Sequence, residues 1–226
     1  MFKKLITFVF CLFLLPVAIG SESDVIKHID NLLNDYQKRD CEGYYGEWYA
    51  PDYADCQNLY FAFKNSIGVS TIQWDSQQKA KLLERLWHSN SALLAENRLF
   101  RTRLAASIAK LPEEQRGYLT NEELEKLAFK QLMNTPTYIR YDSIYILGDL
   151  GKRSYLDVLI RLAIENQDGA GSVAVTSINR IIPDRRELRP ILWDIRGQTK
   201  DIKFSKWLDK YMSKRGGWQM KEAGHP

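Results

Sequence analysis

The chain has 226 residues, 45% of them hydrophobic and 27% charged, with a formal net charge of +4 at pH 7. That length can bury an ample core. A charge balance this modest, +2 once the first twenty residues are set aside, argues against nucleic-acid binding.

Residues 1–20 read as a secretory signal peptide. Lys3 and Lys4 precede an apolar run from Leu5 to Leu15, followed by Pro16 and the small-residue site Ala18-Ile19-Gly20. The run is short for a bilayer span, and Ser21-Glu22-Ser23-Asp24 follows at once. The expected product is a periplasmic or secreted protein with no integral membrane segment, its partners lying in the cell envelope. In such a compartment Cys41 and Cys56 are expected to form one disulfide, worth about 3 kcal/mol by loop entropy. Zinc is not expected, because two thiols with no histidine near them lack the ligands of a structural site.

Ser23 can cap a first helix whose stripe is Val25, Ile26, Ile29, Leu32, Leu33 and Tyr36. The loop closed by the cysteines then holds Tyr44, Tyr45, Trp48, Tyr49 and Tyr53 among Glu42, Glu47, Asp52 and Asp55. Gly43, Gly46 and Pro51 argue against a continuous helix before Pro51, and a helix is predicted from about Asp52 to Ser66. Trp48 and Tyr60 are expected to pack inward. Tyr44, Tyr45 and Tyr49, flanked by glycine and acids, are expected at the surface.

Asp75 with Gln78 predicts the capped start of a helix bearing Leu82, Leu83, Leu86 and Trp87, with His88 at its end. Ser89-Asn90-Ser91 breaks the chain before a longer helix carrying Leu93, Phe100, Leu104, Ile108 and Leu111, which Pro112 ends. Thr120 and Glu123 form a capping box ahead of Leu124, Leu127, Ala128 and Leu132.

Thr135-Pro136 marks the next helix start, and Ile139, Ser143, Ile146, Leu147 and Leu150 share one face of it. Gly151 suits the left-handed position past the helix end. Ser154 and Asp157 resemble a capping box for a helix burying Leu156, Leu159, Ile160, Ala163 and Ile164. A shift of 31 then pairs Ile144 with Val175, Leu147 with Ile178 and Leu150 with Ile181; a shift of 32 pairs Leu156 with Leu188 and Leu159 with Ile191. Such a period predicts stacked helical hairpins, since one hairpin cannot bury its own face. Phe204, Trp207, Leu208 and Tyr211 mark a final amphipathic helix.

The stretch Ile139-Arg140-Tyr141-Asp142-Ser143-Ile144-Tyr145-Ile146-Leu147-Gly148-Asp149-Leu150-Gly151 resembles the V-R-x-x-A-x-x-A-L-G-x-L-G pattern of short HEAT-like repeats of the phycobilisome-lyase type. The resemblance covers about a quarter of the chain, 135–196, and its second copy has Gly171 for the arginine and Asn179 for the glycine. It implies an α-solenoid that holds another protein. The expected fold is therefore all-α. One domain is expected over 21–215: a less regular N-terminal part (21–133) containing the disulfide loop 41–56, then repeats and a final helix (134–215). A tail follows over 216–226.

Charge is uneven. Residues 21–60 hold nine acids and three bases (−6), and residues 180–215 hold eleven bases and five acids (+6). Arg185, Arg186 and Arg189 are the densest basic cluster. His28, His88 and His225 are dispersed, and no G-x-S-x-G, H-E-x-x-H or Gly-rich phosphate loop is present. No catalytic residues, metal ligands or cofactors are expected.

The functional expectation is a protein-binding module (adaptor, inhibitor or immunity-type protein). It would act through the repeat surface, with Tyr44, Tyr45, Trp48, Tyr49 and Tyr53 and the arginines Arg185, Arg186 and Arg189 as contacts. Aromatic side chains suit that role because they give large contact area for little rotamer entropy. The alternative is a cell-wall saccharide- or peptide-binding protein, even a hydrolase using Glu42, Glu47, Asp52 or Asp55 as its carboxylates.

Overall fold

In a computed structural model of the chain, residues 22–38, 53–68, 74–89, 94, 97–132 and 137–214 are described, and all regular structure among them is helical. The chain divides between Phe100 and Arg101 into two compact units.

In the first unit α1 (Glu22–Lys38) packs on α2 (Tyr53–Gly68). Of the predicted stripe, Val25, Ile26, Ile29, Leu33 and Tyr36 are buried and Leu32 is half-buried, and α2 answers with Cys56, Tyr60, Phe63 and Ile67. Three rings converge on Phe100: Tyr36 and Phe63 meet it edge-on at 4.7 Å between centroids, and Tyr60 at 6.3 Å. Edge-on pairs add about 0.5–1.5 kcal/mol each beyond simple burial, so this cluster fixes the first unit. α3 (Ser76–Trp87) starts as the sequence predicts: the Gln78 N–H donates to Asp75 Oδ1 at 2.8 Å, and the Asp75 N–H to Gln78 Oε1 at 3.1 Å. His88 is its C-cap.

The next helix, α4 (Arg98–Ile108), begins in the first unit and ends in the second. Its start is set by Asn97, whose Oδ1 accepts the N–H groups of Leu99 (3.0 Å) and Phe100 (3.4 Å). An asparagine cap there is a local start signal that the apolar periodicity alone does not reveal; Leu93, expected on the same helix, lies outside the described residues.

In the second unit a 3-10 turn (Glu113–Gln115) leads to α5 (Asn121–Leu132). The capping box is reciprocal: Thr120 N–H donates to Glu123 Oε2 at 2.9 Å, and Glu123 N–H to Thr120 Oγ1 at 3.2 Å. Then follow α6 (Thr137–Leu150), α7 (Leu156–Glu165), α8 (Ala170–Ile181), α9 (Arg185–Gln198) and α10 (Ile202–Lys214). α5 packs on α6, α6 and α7 both pack on α8, and α9 packs on α7, α8 and α10.

The periodicity also marks Leu150, Leu156, Ile160, Ile164 and Ile191, which are only half-buried; Ile139, Ser143, Ile144, Ile146 and Leu147 of α6, Leu159 and Ala163 of α7, Val175 and Ile178 of α8, and Leu188, Leu192 and Ile195 of α9 are buried and form the core of this unit. Each large aliphatic among them contributes about 1.5–3 kcal/mol. The expected cap at Ser154 is replaced. The chain enters α7 through a 3-10 turn, Arg153–Tyr155, and the N-cap is Tyr155 with no side-chain cap bond. Tyr155 is 1% exposed, so burying its ring takes the place of a serine cap.

Two glycines set how close helices come. A Cβ on Gly148 would stand 2.6 Å from Ser177 Cβ and Oγ and 2.8 Å from its Cα, so α6 and α8 touch at backbone distance there. Ser177 Oγ turns back to donate to Ile144 O at 3.0 Å. A Cβ on Gly171 would stand 2.7 Å from Phe204 Cζ, so the ring of α10 fills the space a side chain would occupy. Gly151 has φ +71°, the left-handed turn residue the sequence predicts.

Candidate functional site

The turn between α8 and α9 positions the arginines singled out in the sequence. Asp184 is the N-cap of α9, and its Oδ1 accepts the Arg186 N–H at 2.8 Å. With Leu188, Leu192 and Ile195 facing inward, Arg185, Arg186 and Arg189 are exposed. Glu187, the acid of this first turn, is drawn sideways to Arg153 by a two-pronged pair, one bond of which is 2.8 Å. Arg186 and Arg189 form no ion pair among the described residues. A turn later Trp193 is half-buried, with the Arg196 guanidinium 5.8 Å from its ring centroid, and Arg196 is clamped by Asp209 at 2.6 and 3.2 Å. The result is a basic ledge with one aromatic beside it.

A second cluster gathers charged groups from α4 and its following turn, α6 and α8. Arg103 pairs with Asp142 at 2.9 Å, both side chains under a tenth exposed. Arg180 pairs with Asp149 at 2.7 Å, and its guanidinium lies 5.1 Å from the Tyr145 ring centroid. Arg116 donates from Nη1 to Asn121 Oδ1 at 2.8 Å. Burial pushes the Asp149 carboxyl above the usual aspartate range, opposed by Arg180, Lys110 and Arg116. Burial also lowers the Lys110 ammonium, helped by Arg103. Asp149 Oδ2 and the Nε groups of Arg103 and Arg116 are buried with no hydrogen-bond partner among the described residues. Every carboxylate here is matched by a guanidinium, so the cluster ties helices together and presents no free acid–base pair.

One of these ties, and one beyond the cluster, lie at or near the 31- to 32-residue spacing at which the apolar positions recur. Asp149 and Arg180 are 31 residues apart, Arg153 and Glu187 34. Asn166, left-handed at φ +43°, closes α7; its Oδ1 accepts Gly171 N–H at 2.9 Å and its Nδ2 donates to Asp201 Oδ2 at 2.7 Å. Arg140 reaches Asp168 at 3.1 Å, and the Tyr141 hydroxyl donates to the Asp168 carbonyl. None of these pairs is singled out by a motif. A search for opposite charges one period apart would have found Asp149 and Arg180.

Of the aromatic loop, Tyr44, Tyr45, Trp48 and Tyr49 lie outside the described residues, as do Cys41 and the tail; Tyr53 opens α2. Cys56 is buried on α2, and Tyr60 is buried as expected, at 3% exposure. The loop and the arginines are therefore not brought together by anything described. His28 and His88 are exposed at separate positions on α1 and after α3. Among the described residues no group of three His, Cys, Asp or Glu side chains could hold a metal ion, and no helix is long and apolar enough to cross a membrane.

Comparison with protein-family models, with curated proteins and with solved structures finds no match for this chain.

Proposed function

We propose that this is an exported protein-binding module, an adaptor, inhibitor or immunity-type protein, whose working surface is a short HEAT-like solenoid formed by α6–α9. The observation that carries this reading is the packing order. α6 lies on α8 and α7 on α9, each pair one repeat apart, with Asp149–Arg180 and Arg153–Glu187 joining residues at near-repeat spacing. Stacked hairpins of this kind leave one row of helices facing outward as an extended recognition surface. On α9 that surface holds Arg186 and Arg189 with no ion pair among the described residues, which suits an acidic partner.

The Cys41–Cys56 bridge is part of the same reading. It would pre-organise Tyr44, Tyr45 and Tyr49 as aromatic anchors and reduce the entropy lost on binding. The test is cross-linking of the oxidised protein in envelope extract, followed by capture. Alanine at Tyr44, Tyr45 and Tyr49 should weaken recovery of the partner while helical circular dichroism stays intact. Recovery unchanged in that variant and in Cys41→Ser/Cys56→Ser removes the loop from the mechanism. Recovery unchanged in Arg185→Glu/Arg186→Glu/Arg189→Glu removes the basic ledge.

A further inference from the structure

α10 separates its residues sharply by face. Phe204, Leu208 and Met212 are buried, and at about 100° per residue they occupy one side of the helix. Lys203, Lys206 and Lys210 are exposed and share the opposite side with Ile202, which at 72% exposure is, among the described residues, more exposed than the other outward large hydrophobic, Phe129 at 41%. The acids of this segment are engaged elsewhere. Asp209 holds Arg196, and Asp201 accepts the N–H groups of Lys203 (2.8 Å) and Phe204 (3.0 Å) and the Asn166 amide. Lys203, Lys206 and Lys210 form no ion pair among the described residues. Trp207, stacked between Phe204 (5.6 Å) and Tyr211 (5.0 Å), is half-buried at the margin.

We propose that this face of α10 docks on an anionic phospholipid surface. Three exposed lysines with no salt bridge among the described residues, around an outward aliphatic side chain, match a bilayer interface, where flexible ammonium groups meet lipid phosphates and the aliphatic group enters the headgroup boundary. A protein partner fits less well, because lysine is depleted from the desolvated centres of protein interfaces. The contact is peripheral and needs no spanning helix. It rests on the burial pattern of α10 and is independent of the protein-binding role.

The test is sedimentation of the chain beginning at residue 21 with vesicles of phosphatidylcholine, or of phosphatidylcholine with about one part in three phosphatidylglycerol. Binding is expected to the anionic vesicles only, and to fall as salt is raised. Lys203→Glu/Lys206→Glu/Lys210→Glu should lower the partition coefficient by about a hundredfold or more, from the roughly fivefold contributed by each basic residue near an anionic surface. Ile202→Ser should lower it several-fold with charge unchanged. Lys81→Glu/Arg85→Glu/Lys126→Glu makes the same charge change at exposed positions elsewhere and should keep most of the binding. All variants should keep the wild-type melting temperature. The proposal is overturned if wild type ignores anionic vesicles at low salt, or if both triple variants lose binding equally. Loss of a cross-linked protein partner from the α10 variant, with no vesicle binding by wild type, would overturn it in favour of an acidic protein.

Discussion

Gly148→Ala puts the helix stacking to a direct test. The new methyl carbon would stand 2.6 Å from Ser177 Cβ and Oγ and 2.8 Å from its Cα, where carbon atoms prefer about 3.5–4.0 Å. Part of the obstacle is backbone, so no rotamer change removes it, and α6 and α8 must separate by roughly 1 Å. Overpacking of this kind costs about 1–3 kcal/mol. Alanine's better helix propensity returns about 1 kcal/mol. The net loss of up to about 2 kcal/mol corresponds to a melting temperature lower by up to roughly 8 °C for a chain of this size. Ser177→Gly on the same background removes the Cβ and Oγ contacts but leaves the Cα, so partial rescue is expected in a double-mutant cycle followed by circular dichroism. Propensity alone predicts that Gly148→Ala raises the melting temperature. A rise would refute the close approach of these helices.

Other substitutions have equally definite outcomes. Arg180→Ala leaves Asp149 buried without its guanidinium and should cost about 1–3 kcal/mol in urea unfolding, whereas Asp149→Asn should be nearly neutral because it also removes the desolvation of a charge. Asp149 binds its proton more tightly folded than unfolded. Its contribution is therefore fully present below the ordinary value of 3.8 and is lost as pH rises through the higher folded value; Asp149→Asn should abolish that segment of the stability–pH curve. Asp184→Ala removes the bond to Arg186 N–H that caps α9 and should cost about 1 kcal/mol by thermal melting. Pro190, exposed inside α9, offers no N–H to the preceding turn, so Pro190→Ala should raise the melting temperature by the equivalent of about 1–3 kcal/mol.

The all-helical character of the fold and much of its core were legible because apolar positions recur at helical spacing. Leu147 and Ile178, paired by a shift of 31, are both fully buried, and Gly148, conspicuous in the motif, proves to be a place where α6 and α8 meet at backbone distance. Capping chemistry was equally readable at Asp75–Gln78 and Thr120–Glu123. What stayed hidden was compensation between distant positions. Gly171 looks like a defect in the second copy until Phe204, 33 residues later, is seen to fill its place. Ser154 has capping chemistry, but burying Tyr155 directs the chain into a 3-10 turn instead. Of the candidate site, the arginines were legible as a run of charge, yet sequence could not say that Glu187 turns away to Arg153 while Arg186 and Arg189 stay exposed.

The seat of Phe204 over Gly171 has a consequence for how the second unit opens. A side chain at residue 171 would keep α10 at a distance and let it fray alone; the ring inserted there couples the protection of α8 to that of α10. In amide hydrogen exchange, α8 and α10 should then slow and quicken together as one cooperative unit. The connection through Asn166, which holds both Gly171 N–H and Asp201, extends that unit across the turn between α7 and α8. The last of the described helices, joined in this way, exchanges as interior structure does, although one whole face of it lies in solvent.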